Sequence, residues 1–140
     1  MDFFTAMEVS ASGLSTARAK MNVSASNLAN AQTTQSADGG PYKRRSLVVS
    51  AVPVPGVDGP LANAVKGVAV QSIAQDQNPP RLEYDPGHPQ ANAQGYVAYP
   101  NVNPVEEMVD MITASRAYEA GVTALSTAVS MAERALGIGR

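Results

Sequence analysis

The stretch PVEEMVDMITASRAYEAGVTALSTAVSMAERAL, from Pro104 to Leu136, decides the fold of this chain. It has no proline after its first residue and a single glycine, Gly121. Eight of the nine positions in two heptad series are apolar; the series are Met108, Ser115, Val122, Val129, Leu136 and Met111, Tyr118, Leu125, Ala132. A heptad repeat of this length predicts a long helix with one face against a partner.

The ends of this helix carry their own signals. Asn103 suits the N-cap and Pro104 the first helical turn. Glu106 and Glu107 follow at once, where the helix dipole favours anions. Gly137 is a typical C-terminal stop, so the sequence predicts a helix that ends there.

A second heptad series lies near the N-terminus. The large residues are Met7, Leu14, Met21 and Leu28, and four positions before each stand Phe3, Ser10, Ala17 and Ser24. The first 36 residues contain no proline and one glycine. We expect a second long helix, whose small residues let a neighbouring backbone approach closely.

The middle of the chain reads as short strands and turns. Residues 37–104 hold all ten prolines and seven of the eleven glycines. The candidate strands are Tyr42–Val52, Val65–Ile73, Arg81–Tyr84 and Gly95–Tyr99, and the turn signals are Gly39-Gly40-Pro41, Pro55-Gly56, Asp58-Gly59-Pro60, Pro79-Pro80 and Asp85-Pro86-Gly87. The sequence predicts an α+β fold with a small antiparallel sheet or a pair of hairpins. Its expected units are a helix with the start of a linker (1–36), a β-rich middle (37–103) and a C-terminal helix (104–140).

The stretch NVSASNLANAQTT, residues 22–34, is semi-polar and lies in an uncharged segment. Such residues suit close contacts between chains, because they avoid the cost of burying Lys or Glu. The alternative is a flexible linker; the heptad series favours a helix up to Leu28, and the linker reading is better from Ala31 on. The predicted inter-subunit contacts are Asn22, Ser26, Asn27 and Asn30.

Composition excludes several classes of function. The absence of cysteine excludes disulfides and thiolate metal sites, and a net charge of −2 gives no general attraction to nucleic acid or an anionic membrane. No apolar run approaches the ~18 residues of a membrane span. The N-terminus lacks the basic region of a secretory signal, which taken alone suggests the cytoplasm.

Catalytic chemistry is not indicated. The single histidine, His88, has only Asp85 and Glu83 near it, so a structural turn role is favoured over a metal site. Glu106 and Glu107 are adjacent and point in different directions on a helix, unlike a paired-carboxylate site. The basic triplet Lys43–Arg45 is interpreted as a solvated strand edge, with contact to an acidic partner as the alternative. We expect no catalytic residue, cofactor or metal.

Several stretches of the sequence resemble the signatures of a known protein family. SASGLSTARAKMNVSASNLANAQTT (10–34), with its SNLAN core, is similar to the N-terminal signature of bacterial flagellar basal-body rod proteins. NVNPVEEMVDMITASRAYEAGVTAL (101–125) is similar to their C-terminal signature, except that Gly121 stands where most relatives have asparagine. PYKRR (41–45), YDPGHP (84–89) and GYVAYPNVN (95–103) resemble the proximal-rod members.

The resemblance implies a non-enzymatic structural subunit of the rod. The terminal helices would pair as an antiparallel coiled coil facing the rod axis, through a seam of Met7, Leu14, Met21, Leu28, Met108, Met111, Tyr118, Val122, Leu125 and Val129. Implied partners are copies of itself, other rod proteins, the rod-base adaptor, the MS ring and export gate, with the P ring and peptidoglycan as further candidates. No nucleic acid, small-molecule substrate or membrane insertion is implied.

The same resemblance implies type III export without a cleaved signal, and so a place in the periplasmic rod. The alternatives are another axial subunit (distal rod or hook junction), a peptidoglycan-acting enzyme using Glu83 or Asp85, or a binding module that folds as a monomer. The two seams offer few large apolar side chains, so we expect weak helicity in the isolated chain that rises on assembly.

Overall fold

The computed structural model describes residues 3–37, 39–56 and 64–138. The elements in chain order are α1 (Phe3–Ala29), β1 (Arg45–Pro53), β2 (Lys66–Gln75), β3 (Arg81–Tyr84), β4 (Tyr96–Tyr99) and α2 (Pro104–Ile138). The predicted α+β class is confirmed, with two long helices around a β-rich middle. The predicted turn at Asp58-Gly59-Pro60 lies outside the described residues.

The start of α2 follows its sequence signals, whereas its end does not. The Asn103 side-chain oxygen accepts a hydrogen bond from the backbone N–H of Val105 at 3.1 Å, which confirms the N-cap. The predicted stop at Gly137 is wrong, because α2 continues through it to Ile138. Glycine inside a helix costs only about 1 kcal/mol relative to alanine, which the favourable residues before it can offset.

The two helices pack against each other in antiparallel directions. Near the C-terminal end of α1, Asn27 contacts Glu107, close to the start of α2. One heptad earlier in α1, Lys20 pairs with Asp110 at 3.2 Å. Farther along, Leu14 lies against Gly121. As residue numbers fall along α1 they rise along α2, so the chain directions are opposed.

The β-rich middle consists of two separate hairpins. β1 and β2 pair antiparallel from Arg45↔Gln75 to Pro53↔Lys66, with a shift in register between Val48 and Val49. β3 and β4 pair antiparallel from Arg81↔Tyr99 to Tyr84↔Tyr96. This outcome confirms the pair of hairpins, and in the turn before β4 Gly95 adopts a positive φ angle of 82°, which glycine tolerates.

Small residues let the first hairpin approach α1. The Ser12 hydroxyl oxygen accepts a hydrogen bond from the backbone N–H of Val68 at 3.1 Å. A Cβ on the neighbouring Gly67 would lie 3.2 Å from that same oxygen, so a larger residue would require the Ser12 side chain to shift by a few tenths of an ångström. α1 therefore lies between α2 on one side and the β1–β2 hairpin on another.

Candidate functional site

A buried amide lies where α1, β1 and α2 meet. Asn27 is 1% exposed. Its Oδ1 accepts hydrogen bonds from the Arg45 backbone N–H and the Tyr42 hydroxyl, each at 2.9 Å. Its Nδ2 donates to the Arg45 carbonyl at 2.8 Å and to Glu107 Oε2 at 3.1 Å. All four hydrogen-bonding positions of the amide are filled, and two of them pair with Arg45 as a neighbouring strand would.

A buried ion pair completes this cluster. Glu107 is also 1% exposed, and its Oε1 accepts a hydrogen bond from Arg44 Nε at 2.6 Å. Burial acts to lower the pKa of Arg44, but the Glu107 hydrogen bond and the nearby carboxylates outweigh it, so the pKa is raised and the guanidinium stays charged. We call Asn27, Tyr42, Arg44, Arg45 and Glu107 the polar lock.

Backbone pairing positions the arginine of the polar lock. The Arg44 carbonyl accepts a hydrogen bond from the Asp76 N–H at 2.8 Å, which extends the β1–β2 pairing past the end of the strand. The Arg44 side chain then reaches α2, where Asp110 Oδ2 lies 3.9 Å from its Nη2. The lock thus fixes the first hairpin against both helices at one end of the helix pair.

The predicted inter-subunit residues differ in placement. Asn22 is exposed. Asn27 is used within the chain, and the Ser26 hydroxyl lies 3.4 Å from that of Tyr42. Asn30 donates from Nδ2 to the Ser26 carbonyl at 2.9 Å, at the end of α1. Of the four, the structure leaves Asn22 most open to another chain, and contact with a second subunit stays a prediction for all of them.

The face that α2 turns to α1 carries small side chains. Ala114 and Ala128 are buried, and Gly121 between them approaches Leu14 so closely that a Cβ there would lie 2.9 Å from Leu14 Cδ2. With Glu107 these residues form a heptad series one position before the predicted Met108 series. The face of α2 that contacts α1 is therefore lined by residues one position before the predicted Met108 series.

The predicted seam residues fall into two groups by exposure. Those that are partly buried are Met7, Leu14, Met21, Leu28, Met111, Tyr118 and Leu125. Those on α2 that stay largely open are Met108 (47% exposed), Val122 (45%) and Val129 (37%). Of the first group, Leu14 lies against Gly121 of α2, and the second group is left largely open; pairing through the whole seam stays a prediction.

An apolar stripe covers the first two turns of α2. Val105, Met108, Val109 and Ile112 are 47–68% exposed, and their spacing places them on one side of the helix. We call these four residues the α2 stripe. Exposed clusters of large apolar side chains mark interaction surfaces in soluble proteins.

The described residues contain little that is typical of catalysis. His88 lies in a turn, where its Nδ1 accepts a hydrogen bond from the Gln90 N–H at 3.2 Å. Within residues 3–37, 39–56 and 64–138, no group of three or more carboxylate, imidazole or thiol side chains could hold a metal ion. Neither described helix has a stretch long and apolar enough to cross a membrane.

Comparison with known families defines the class. Residues 7–35 match the family "Flagella basal body rod protein", and residues 93–138 match "Flagellar basal body rod FlgEFG protein C-terminal". The two matches cover most of α1 and all of α2 up to Ile138. The helix pair is therefore that of a flagellar basal-body rod protein.

Full-length similarity narrows the class. The chain is 43% identical to the flagellar basal-body rod protein FlgC of Borreliella burgdorferi, covering 99% of this chain and 98% of that protein. It is 39% identical to FlgC of Salmonella typhimurium and 40% identical to FlgC of Bacillus subtilis, each over the full length of both chains. The chain belongs to the FlgC family of flagellar basal-body rod proteins.

Proposed function

We propose that the protein is a structural subunit of the proximal rod of the bacterial flagellum. In this role it forms part of a drive shaft that transmits torque and encloses the export channel. The observation that carries the proposal is the uncovered α2 stripe on a long antiparallel helix pair. In a monomer these apolar side chains stay exposed to water, whereas in a helical tube the neighbouring subunits bury them.

The described residues support a mechanical role. The buried apolar side chains are few and mostly small: Ala17, Tyr42, Val54, Val97, Val102, Ala114 and Ala128. A core of this kind stabilises an isolated chain weakly. Contacts with neighbouring subunits supply the remaining burial, so assembly adds to the stability of the helices. No catalysis, cofactor or metal is needed for this function.

Contacts between subunits are assigned to the residues left open. Met108, Val122 and Val129 contact helices of neighbouring subunits, in a coiled-coil packing that extends the pairing of α1 with α2. Asn22 contributes a polar contact on the opposite helix. Two different surfaces meeting head to tail generate a helical assembly when the rotation between neighbours does not close a ring.

The proposal extends to the location and neighbours of the protein, and membership of the family supports it. The protein passes through the flagellar type III export gate without a cleaved signal and assembles in the periplasm. Its neighbours are copies of itself, other rod proteins, the rod-base adaptor and the MS ring, with the P ring and peptidoglycan as outer candidates. A net charge of −2 supports protein partners over nucleic acid.

The test is an aspartate placed in the α2 stripe. Ile112 is 53% exposed, so Ile112→Asp leaves the folded chain intact but places a charge in a surface that assembly buries. In the host bacterium we expect loss of swimming and of rods in electron micrographs, with the protein still exported. The matched control is Gln94→Asp, at an exposed turn between β3 and β4, which should swim normally. Normal rods with Ile112→Asp would contradict the proposal.

A further inference from the structure

The heptad pattern fixes which faces of the helices meet, but not their register. On α1 the small residues Ser10, Ala17 and Ser24 recur every seven positions, and on α2 Ala114, Gly121 and Ala128 do the same. If one helix slid by one heptad, small residues would still lie opposite small ones. The large residues of each seam are repeated in the same way, so several registers offer similar apolar contact.

The polar lock has no such repeat. Asn27 and Glu107 each occur once in their heptad series, near the same end of the helix pair. A slip of seven residues moves one helix by about 10 Å along the other. That distance is far beyond hydrogen-bond reach, so a slip would separate Asn27 from Glu107 and carry Glu107 away from Arg44. Buried polar groups that lose their partners are strongly disfavoured.

We propose that the buried hydrogen bond between Asn27 and Glu107, together with the ion pair between Glu107 and Arg44, specifies the register of the antiparallel helix pair, while the apolar heptads supply the attraction. A single buried polar residue selects register in other helix pairs at some cost in stability. Here the contact also joins the pair to β1 through Arg45, so the register of the helices and the position of the first hairpin are set together.

The absence of cysteine makes the register measurable with introduced disulfides. Leu14→Cys with Gly121→Cys reports the register in the structure, since a Cβ at Gly121 would lie 3.1 Å from Leu14 Cγ. Leu14→Cys with Ala114→Cys or with Ala128→Cys reports a slip in either direction. Each pair is equilibrated in a glutathione buffer using the purified full-length chain, with trimethylamine N-oxide to favour burial. In urea the three pairs should form almost equally, because their loops have nearly the same length.

With the lock intact, we expect the 14/121 disulfide to exceed each slipped pair by at least roughly tenfold. In the Asn27→Leu, Glu107→Leu background that preference should fall to near equality, while helicity by circular dichroism is retained. The conservative change Glu107→Gln keeps an oxygen acceptor and should keep the preference.

The matched control is Lys20→Leu, which removes the neighbouring, partly exposed ion pair with Asp110, leaves Asp110 beside Arg44, and should keep the native register. A double-leucine lock variant that still forms only the 14/121 disulfide would overturn the proposal. Loss of helicity in that variant would overturn it too, since the proposal requires the apolar seams to pair the helices without the lock.

Discussion

Asn27→Asp is the sharpest perturbation of the polar lock, because it keeps the size of the side chain and changes its hydrogen bonding. The carboxylate can still accept from the Arg45 N–H and the Tyr42 hydroxyl. It cannot donate to the Arg45 carbonyl or to Glu107 Oε2, which lie 2.8 and 3.1 Å from Nδ2. The change therefore sets a negative charge against another carboxylate at a site that is 1% exposed.

The contacts give the size of the effect. The bond to the carbonyl contributes about 1 kcal/mol and the bond to the charged carboxylate about 1.5–3 kcal/mol. Repulsion in a buried site adds to these, so the free energy of unfolding should fall by about 3–5 kcal/mol. Glu107→Gln in the same chain supplies an N–H donor toward the new carboxylate. We expect this second change to recover roughly 1–3 kcal/mol.

The assay is urea unfolding followed by far-ultraviolet circular dichroism, in a fixed concentration of trimethylamine N-oxide. The wild type, both single variants and the double variant form a double-mutant cycle. Asn22→Asp is the matched control, because Asn22 is exposed on the same helix and the change should cost no more than about 0.5 kcal/mol. If Asn27→Asp proves as mild as Asn22→Asp, the hydrogen bonds of Asn27 do not stabilise the fold as proposed.

Three other predictions concern the helix–helix seam, Gly121 and the loss of stability at low pH. Leu125→Asp should block rod assembly and swimming but leave export largely intact; normal rods in micrographs would mean that the seam is on another face. Gly121→Ala gains about 1 kcal/mol of helix propensity, but the new methyl group displaces Leu14 Cδ2. In urea unfolding, the same change should therefore raise the free energy of unfolding more when Leu14→Ala is already present. The hydrogen bond from the Asn78 backbone holds the pKa of Asp76 below its usual value, so its contribution to stability is present at neutral pH and is lost as pH falls through that lowered pKa. Asp76→Asn should therefore weaken the acid dependence of unfolding, and an unchanged pH profile would contradict this.

Much of the fold could be predicted because its signals are local. β3 runs from Arg81 to Tyr84 as the sequence predicts, since turn residues bound it on both sides. The N-cap at Asn103 and the proline after it place the start of α2 to the residue. These features depend on short-range backbone chemistry that a sequence displays directly.

The polar lock could not be predicted, because its members are far apart in the chain. Glu107 beside Glu106 looks like helix-start charge, and its partner Arg44 lies 63 residues away in a basic triplet typical of a strand edge. One signal was available: Ala114 and Gly121 belong to a heptad series of small residues that begins at Glu107. The small residues of this series let the neighbouring helix approach closely. A carboxylate in the same series is therefore expected to lie buried against that helix.

A density map of the assembled basal body, with this chain traced in it, is the most direct test of subunit packing through the α2 stripe. We expect helices of neighbouring subunits to cover Val105, Met108, Val109 and Ile112, while Asn27 keeps its hydrogen bonds to Arg45 and Glu107 within each subunit. An assembled rod in which the α2 stripe faces open solvent, or in which Asn27 has left Glu107 for a neighbouring chain, would contradict this expectation.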